Sequence, residues 1–270
     1  MRTCTVNKIT IGGDASVRLM GVINCSPESF YSDSFVPIKS VHARAVEMVE
    51  QGADLIDLGA RSTAPNTQPI SGREEADRVD AALRELDGSG ITVSVDTMHP
   101  GVLDICLKHE VHAVNDISGL LSQVYAGKVA AAGLPAFVMA SKNQPGDAVG
   151  VDATLLALAA IMRRCEAAGI DQYVLDPGVG IWTPKRSVED NWELCRHFGE
   201  FRQFDRPLLA AVSRKTFIGD LLGREPEDRL PGTLAVTMML LAKGVSVIRA
   251  HDVRETRDAI RVYECMVQGQ

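Results

Sequence analysis

The run YVLDPG, Tyr173–Gly178, sets how the rest of the chain is read. Three apolar residues lead straight into an aspartate and then into Pro-Gly, a turn pair. An apolar run this short, without polar alternation, suits a strand of a parallel sheet buried on both faces. Similar runs recur on either side at roughly thirty-residue intervals. They are LMGVIN (Leu19–Asn24), LIDLG (Leu55–Gly59), ITVSVD (Ile91–Asp96), AVNDIS (Ala113–Ser118), PAFVMA (Pro135–Ala140), PLLAAVS (Pro207–Ser213) and VSVIRAH (Val245–His251). With Tyr173–Gly178 they make eight.

Helical periodicity fills the intervals. Val41, Ala45, Met48 and Val49 share a face that ends at Gln51-Gly52. Val102, Ile105, Cys106 and His109 form a stripe behind Pro100, a good first-turn residue. Leu155, Leu158, Ile161, Met162 and Cys165 form another, closed at Gly169, and Leu234, Met238 and Leu241 repeat it before Gly244. Strand and helix in alternation imply βα units, and right-handed crossovers close eight of them into a (β/α)8 TIM barrel. A doubly wound open sheet is the competing architecture; the count of eight favours closure. No linker divides the chain, so residues 1–270 are read as one domain, with 1–18 as an N-terminal extension or hairpin.

Composition narrows the function classes. The 270 residues are 46% apolar and 23% charged, with a net charge of −7 and aromatic residues at 5%. That excludes the basic face of a nucleic-acid binder and an aromatic platform for single strands. An anionic substrate therefore needs a local cluster of cations. The most apolar stretch, Leu234 to Lys243, is far too short to span a bilayer, and MRTCTVNKITIGGD holds no apolar run of the length expected of a signal peptide. Six scattered cysteines lack metal spacing and read as reduced thiols of a cytoplasmic protein.

In a barrel of this kind the reacting groups project from the C-terminal strand ends. Asn24, Asp96, Asn115, Asp176, Ser213-Arg214-Lys215, Arg249 and His251 all fall there, and Arg61-Ser62-Thr63 follow the second strand. Any one of them is ordinarily a capped polar residue at a strand end. Asp96, Asn115, Asp176 and Lys215 converging on one mouth are harder to explain that way. Asp176 and Asn115 suit the amino-amidine edge of a heterocycle such as a pterin, and Lys215 a ring nitrogen or carbonyl. Arg249, His251 and Asn24 suit phosphate oxygens, with Asn24 also an oxygen ligand for Mg²⁺.

Seven ordered segments carry a resemblance. MGVINCSPESFYSD resembles the first-loop signature of dihydropteroate synthases, usually close to MGILNVTPDSFSDGG, and GADLIDLGARSTAP resembles GADIIDVGGESTRPG. Val93–Thr97 resembles ISVDT, Asn115–Gly119 is NDISG, and Leu175–Gly180 resembles LDPGIG. Ser213–Gly219 resembles SRKSFIG, and Arg249–Val253 resembles RVHDV. Together they span roughly residues 19–256, closest to the archaeal-type branch.

The resemblance implies a TIM barrel that condenses 6-hydroxymethyl-7,8-dihydropterin diphosphate with 4-aminobenzoate, releases pyrophosphate and uses Mg²⁺ as cofactor. It implies pterin contacts from Asp96, Asn115, Met139, Asp176 and Lys215, and diphosphate contacts from Asn24, Thr63, Arg249 and His251. Asn24 holds the metal. The arylamine side falls to Arg61, Pro65, Ile181 and Ser213, and the catalytic set is Asn24, Lys215, Arg249 and His251. The implied chemistry is dissociative, without a protein nucleophile; Cys25 is the nearest rival. A homodimer is expected for the family, while the last helix, Glu255 to Met266, fits either barrel packing or a dimer face.

Departures from the family pattern cluster. Ala64 and Arg61 replace the second loop's Arg and Glu, Ile181-Trp182-Thr183 replace Phe-Gly-Lys, and Ala140-Ser141-Lys142 lack the usual His. Tyr31-Ser32-Asp33-Ser34 stand for Ser-Asp-Gly-Gly, which predicts a less flexible first loop. Arg61, Lys142 and Trp182 would suit a larger anionic amine, so 4-(β-D-ribofuranosyl)aminobenzene 5′-phosphate of methanopterin synthesis stands beside 4-aminobenzoate. A pterin-dependent methyltransferase to a corrinoid protein and a non-catalytic pterin binder are the other readings.

Overall fold

The computed structural model describes residues 1–27, 35–62 and 70–268. The opening residues form a hairpin, β1 (Thr3–Val6) and β2 (Ile9–Gly12), turned at Asn7 with φ 53°. Eight parallel strands follow: β3 (Arg18–Asn24), β4 (Leu55–Gly59), β5 (Val93–Asp96), β6 (Ala113–Asp116), β7 (Ala136–Met139), β8 (Tyr173–Asp176), β9 (Leu209–Ala210) and β10 (Val247–Ala250). Each lies within one of the eight apolar runs or one residue outside it. Their order is β8-β7-β6-β5-β4-β3-β10-β9, and a bridge between Leu175 and Leu208 joins the two ends. The sheet is a closed (β/α)8 barrel, as the count of eight predicts.

Strand parity divides the side chains between two cores. Met20, Leu55, Ala113, Phe137, Val174, Leu209 and Val247 point inward with Cys4, Val6 and Ile11 of the hairpin. Their neighbours Ile56, Val114, Val138, Leu175, Ala210 and Ile248 pack outward beneath the helices. The hairpin therefore plugs the N-terminal end of the barrel. Two residues further along the same inward rows come Asp57, Asn115, Asp176 and Arg249, and the interior turns from apolar to charged.

The helices are α1 (Val41–Glu50), α2 (Gly72–Leu86), α3 (Pro100–Cys106), α4 (Gln123–Ala131), α5 (Val151–Ala168), α6 (Val188–Arg196), α7 (Thr216–Leu222), α8 (Leu230–Leu241) and α9 (Val253–Gln268). Local chemistry sets their ends. Ser71 caps α2 by accepting from Glu74 N at 3.1 Å, and Ser187 with Asp190 forms a capping box on α6. Gly169 closes α5 in the left-handed region at φ +75°. Two stripes differ from expectation. Val49 is 41% exposed, so the buried face of α1 is Val41, Ala45 and Met48. α3 stops at Cys106, and His109 instead bridges Asp80 and Asp87 at 3.1 and 2.7 Å. On α9, Ile260 is buried while Met266 is 77% exposed.

Candidate active site

A cavity of about 380 Å³ opens at the C-terminal end of the barrel. Of the residues singled out from the sequence, Asn24, Arg61, Asp96, Asn115, Asp176, Ile181, Ser213, Lys215, Arg249 and His251 line it. Met139 does not. It is buried beneath the Asp176–Gly178 turn, where a Cβ on Gly178 would come within 2.9 Å of Met139 Cγ. By strand parity it shares the inward row of Phe137 and pairs with Asp176, so it packs directly against the strand end that carries that carboxylate. Lys142 is exposed and is likewise not on the cavity wall. Thr63, Ala64, Pro65 and the first-loop residues 31–34 lie outside the described residues.

The floor is a charge network. Arg249 donates from Nε to Asp57 Oδ2 at 2.6 Å and from Nη2 to Asp96 Oδ2 at 2.9 Å. Its guanidinium is thus committed first to carboxylates, not held ready for phosphate alone. Asn115 donates from Nδ2 to Asp57 Oδ2 at 2.8 Å, which leaves its carbonyl oxygen to accept at the cavity. Asp57 is fully buried, and its Oδ1 has no hydrogen-bond partner among the described residues. Burial and the Asp57 charge push the Asp96 carboxyl up, against the pull of Arg249. Burial also raises Asp176, opposed by the Gly178 N–H at 2.7 Å and by Lys215, Arg249 and Arg186. The strand-end carboxylates are poorly solvated, a condition that ligand N–H donors would relieve.

The β9–α7 turn explains how neighbouring residues serve one cavity. Arg214 has φ 54°, so Ser213 and Lys215 both face the cavity while Arg214 turns away. There it holds Asp252 through Nε and Nη2 at 2.8 and 2.7 Å. Lys215 donates to the Val179 carbonyl, and removal from water lowers its pKa to about 8, with Asp176 opposing.

Ser213 Oγ accepts the His251 backbone N–H at 3.2 Å and lies 3.0 Å from Nδ1. A hydroxyl that accepts that N–H can give its own proton to Nδ1, which places the proton of the neutral ring on Nε2. Burial and the nearby Arg249 push His251 down to about 4, so at neutral pH the ring offers a hydrogen bond and not a charge. Cys25 is a buried thiol raised to about 12 by burial, against the pull of Arg78, which removes it as a nucleophile at neutral pH.

Arg61 has unexpected company. Its Nε donates to Glu75 Oε2 at 2.7 Å and its Nη2 to the Ile70 carbonyl at 2.6 Å, fastening both ends of the second loop. Glu75 is buried and also takes Thr97 Oγ1 at 2.7 Å and His99 Nδ1 at 2.9 Å. Asp57 and Glu75 were not anticipated from the sequence. Inward parity within LIDLG points to Asp57, whereas Glu75 sits in the charged helical run GREEAD and carries no such signal.

A family model described as pterin binding enzyme matches residues 20–251. Dihydropteroate synthase of Escherichia coli (strain K12) is 34% identical over 265 residues, covering 93% of this chain and 92% of its own length. That of Bacillus subtilis (strain 168) is 30% identical over 254 residues, covering 92% and 88%. Among solved structures, Coxiella burnetii dihydropteroate synthase in complex with pteroic acid aligns with TM-score 0.87 and 29% identity, covering 99% of each chain. Thermus thermophilus dihydropteroate synthase in complex with 4-aminobenzoate aligns with TM-score 0.81 and 34% identity, covering 98% of this chain and 100% of the other. With the match running from the first barrel strand to the last, this chain belongs to the dihydropteroate synthase family of pterin-binding enzymes.

Proposed function

We propose that the chain is a transferase that condenses 6-hydroxymethyl-7,8-dihydropterin diphosphate with 4-aminobenzoate and releases pyrophosphate. The observation that carries this is the convergence of Asp96, Asn115, Asp176 and Lys215 on one cavity at the barrel mouth. Asp176 accepts N–H bonds from the pterin's amino-amidine edge, Asn115 accepts through its carbonyl, and Lys215 donates to the ring. The bond between the pterin methylene and the diphosphate oxygen breaks with its electron pair leaving on pyrophosphate. The amine nitrogen then bonds to the methylene carbon and loses one proton to solvent or to the departing phosphate. Catalysis rests on positioning and on charge stabilisation, since no protein nucleophile is needed. His251 contributes its Nε2 proton to the diphosphate, Asn24 its amide, and Arg249 field rather than a primary contact. Thr63 joins them by resemblance alone.

Mg²⁺ belongs to the same proposal. Among the described residues no group of three or more His, Cys, Asp or Glu is arranged to hold a metal. The Asn24 Oδ1, which accepts from Ser26 N and Oγ at 3.0 and 2.8 Å, is a single amide oxygen beside the cavity. Such a donor fits an ion that keeps waters and takes further ligands from substrate phosphate. When bound it neutralises leaving-group charge.

A second acceptor, 4-(β-D-ribofuranosyl)aminobenzene 5′-phosphate, would meet Arg61 on the cavity wall, although Glu75 and the Ile70 carbonyl already take its Nε and Nη2 and weaken it as an anchor for an anionic tail. Pyrophosphate release should require the pterin diphosphate, Mg²⁺ and an amine together, and product mass separates the two amines. No release with either amine overturns the synthase reading and leaves the methyltransferase and the non-catalytic binder.

We also propose that the chain is a cytoplasmic homodimer. Its six cysteines are free thiols, five of them buried, and no described helix is long and apolar enough to cross a membrane. An apolar hollow of about 420 Å³ between α6, α7 and α8 is rimmed by Leu221 and Met239, 65% and 62% exposed. A second copy of this face would cover it.

A further inference from the structure

Trp182 belongs to the segment that replaces the family's Phe-Gly-Lys, and its indole lies where three loops meet. Nε1 donates to the Gly178 carbonyl at 2.9 Å. Arg186, only 2% exposed, donates Nη1 to the same oxygen at 2.8 Å. The base of the side chain rests on Gly146 of the β7–α5 loop, where a Cβ would come within 2.1 Å of Trp182 Cβ. Gly146 also has φ +68°, so both space and backbone reserve the position for glycine. Its N–H is fixed by Ser141 Oγ at 3.1 Å.

The ring turns toward Lys215, whose Nζ is 4.8 Å from its centroid. That is within cation–π range. Gly180 makes the approach possible, since a Cβ there would lie 2.7 Å from Lys215 Nζ and 3.1 Å from Trp182 Nε1. We propose that Trp182 is a positioning residue whose indole face holds the Lys215 ammonium at the pterin end of the cavity. The substituted segment thereby serves the pterin as well as the amine. This inference rests on the pterin-transferase reading for its purpose, but the contact itself does not.

The surroundings of Lys215 explain why a π face is useful there. Asp176 attracts the ammonium, while Arg249 and Arg186 repel it and the Cys195 thiol adds little. Burial leaves the proton loosely held, with a pKa of about 8. A further carboxylate would compete with Asp176 for the pterin's donors. An indole favours the charged amine without adding a formal charge, and its bulk keeps water from that side.

The chain has two tryptophans, so Trp192→Phe leaves Trp182 as the sole indole. Its emission should titrate with a midpoint near 8, and the titration should vanish in Trp192→Phe/Lys215→Met. The same pH response in both proteins overturns the contact without any ligand being needed. Calorimetry with 6-hydroxymethyl-7,8-dihydropterin diphosphate from pH 6.5 to 9.5, a range chosen to bracket about pH 8, reads the consequence. Trp182→Phe should bind within about twofold of wild type. Trp182→Leu should bind roughly three- to thirtyfold more weakly, with its alkaline limb moved to lower pH. Wild-type affinity and limb in Trp182→Leu overturn the positioning role. Failure of every protein to bind overturns the function reading instead, while the emission titration still decides the contact.

Discussion

A carboxylate at the barrel mouth loses hydration before any ligand arrives, and Asp96 carries the consequence. Burial and the Asp57 charge raise its folded pKa above the unfolded value, with Arg249 opposing. Between those two values the native state binds more protons than the unfolded one, so stability falls as pH rises across that window. Asp96→Asn removes this cost while keeping an acceptor for Arg249. At pH 8 the variant should therefore melt no lower than wild type, yet bind the pterin diphosphate roughly 5- to 150-fold more weakly. Scanning calorimetry and titration calorimetry check the two halves; a lower melting temperature with unchanged affinity would reverse the assignment. Asp96, Asn115, Asp176 and Lys215 are legible in the sequence because each lies within or just beyond the C-terminal part of an apolar run. Asp57 lies two residues inside LIDLG and looks like part of the run. Glu75 is illegible for a deeper reason, since its burial depends on Arg61, Thr97 and His99 arriving from separate segments.

Strands are legible where period and length agree, and helix ends where a glycine supplies the left-handed residue, as Gly169 does. Stripes fail where a helix stops early. His109 continues the periodicity of α3 in the sequence, but the helix ends at Cys106 and the imidazole joins α2 instead. Burial pushes His109 down, but the hydrogen bonds its ring donates to Asp87 and Asp80 prevail and its pKa is raised. A raised folded pKa makes this bridge fully stabilising below the unfolded value of about 6.5 and weakens it as pH rises through the folded value. His109→Gln should melt about 2–4 °C below wild type at pH 6, and the gap should narrow steadily at alkaline pH. A gap that is constant from pH 6 to 9.5, bounds placed about the unfolded histidine value, would mean the imidazole acts through packing and not through charge.

At the scale of the molecule, the barrel runs from an apolar plug to a charged mouth, and its outer helices carry a separate feature. The hairpin residues Cys4, Val6 and Ile11 fill one end, while the cavity with Asp96 and Lys215 occupies the other. The hollow between α6, α7 and α8 belongs to neither end. It brings Trp192, Ile218, Val236 and Met239 together on the outer layer, and its exposed rim combines Leu221, Leu222 and Met239 with the charged Arg196. The sequence hides it, because each helix contributes residues that look like ordinary inward stripes; only the assembled layer shows that Leu221 and Met239 face out. A two-fold partner would bury the same patch on both copies, so one introduced charge is felt twice at the contact. Wild-type protein should then scatter light at twice the 29.1 kDa chain mass, and Met239→Glu should fall to the mass of a single chain. Pterin affinity should stay within about twofold in the variant, because Met239 does not line the active-site cavity. A wild-type mass of one chain at micromolar concentration overturns the dimer. A variant that stays dimeric moves the interface to another face, with the exposed Val262 and Met266 of α9 the next to be charged.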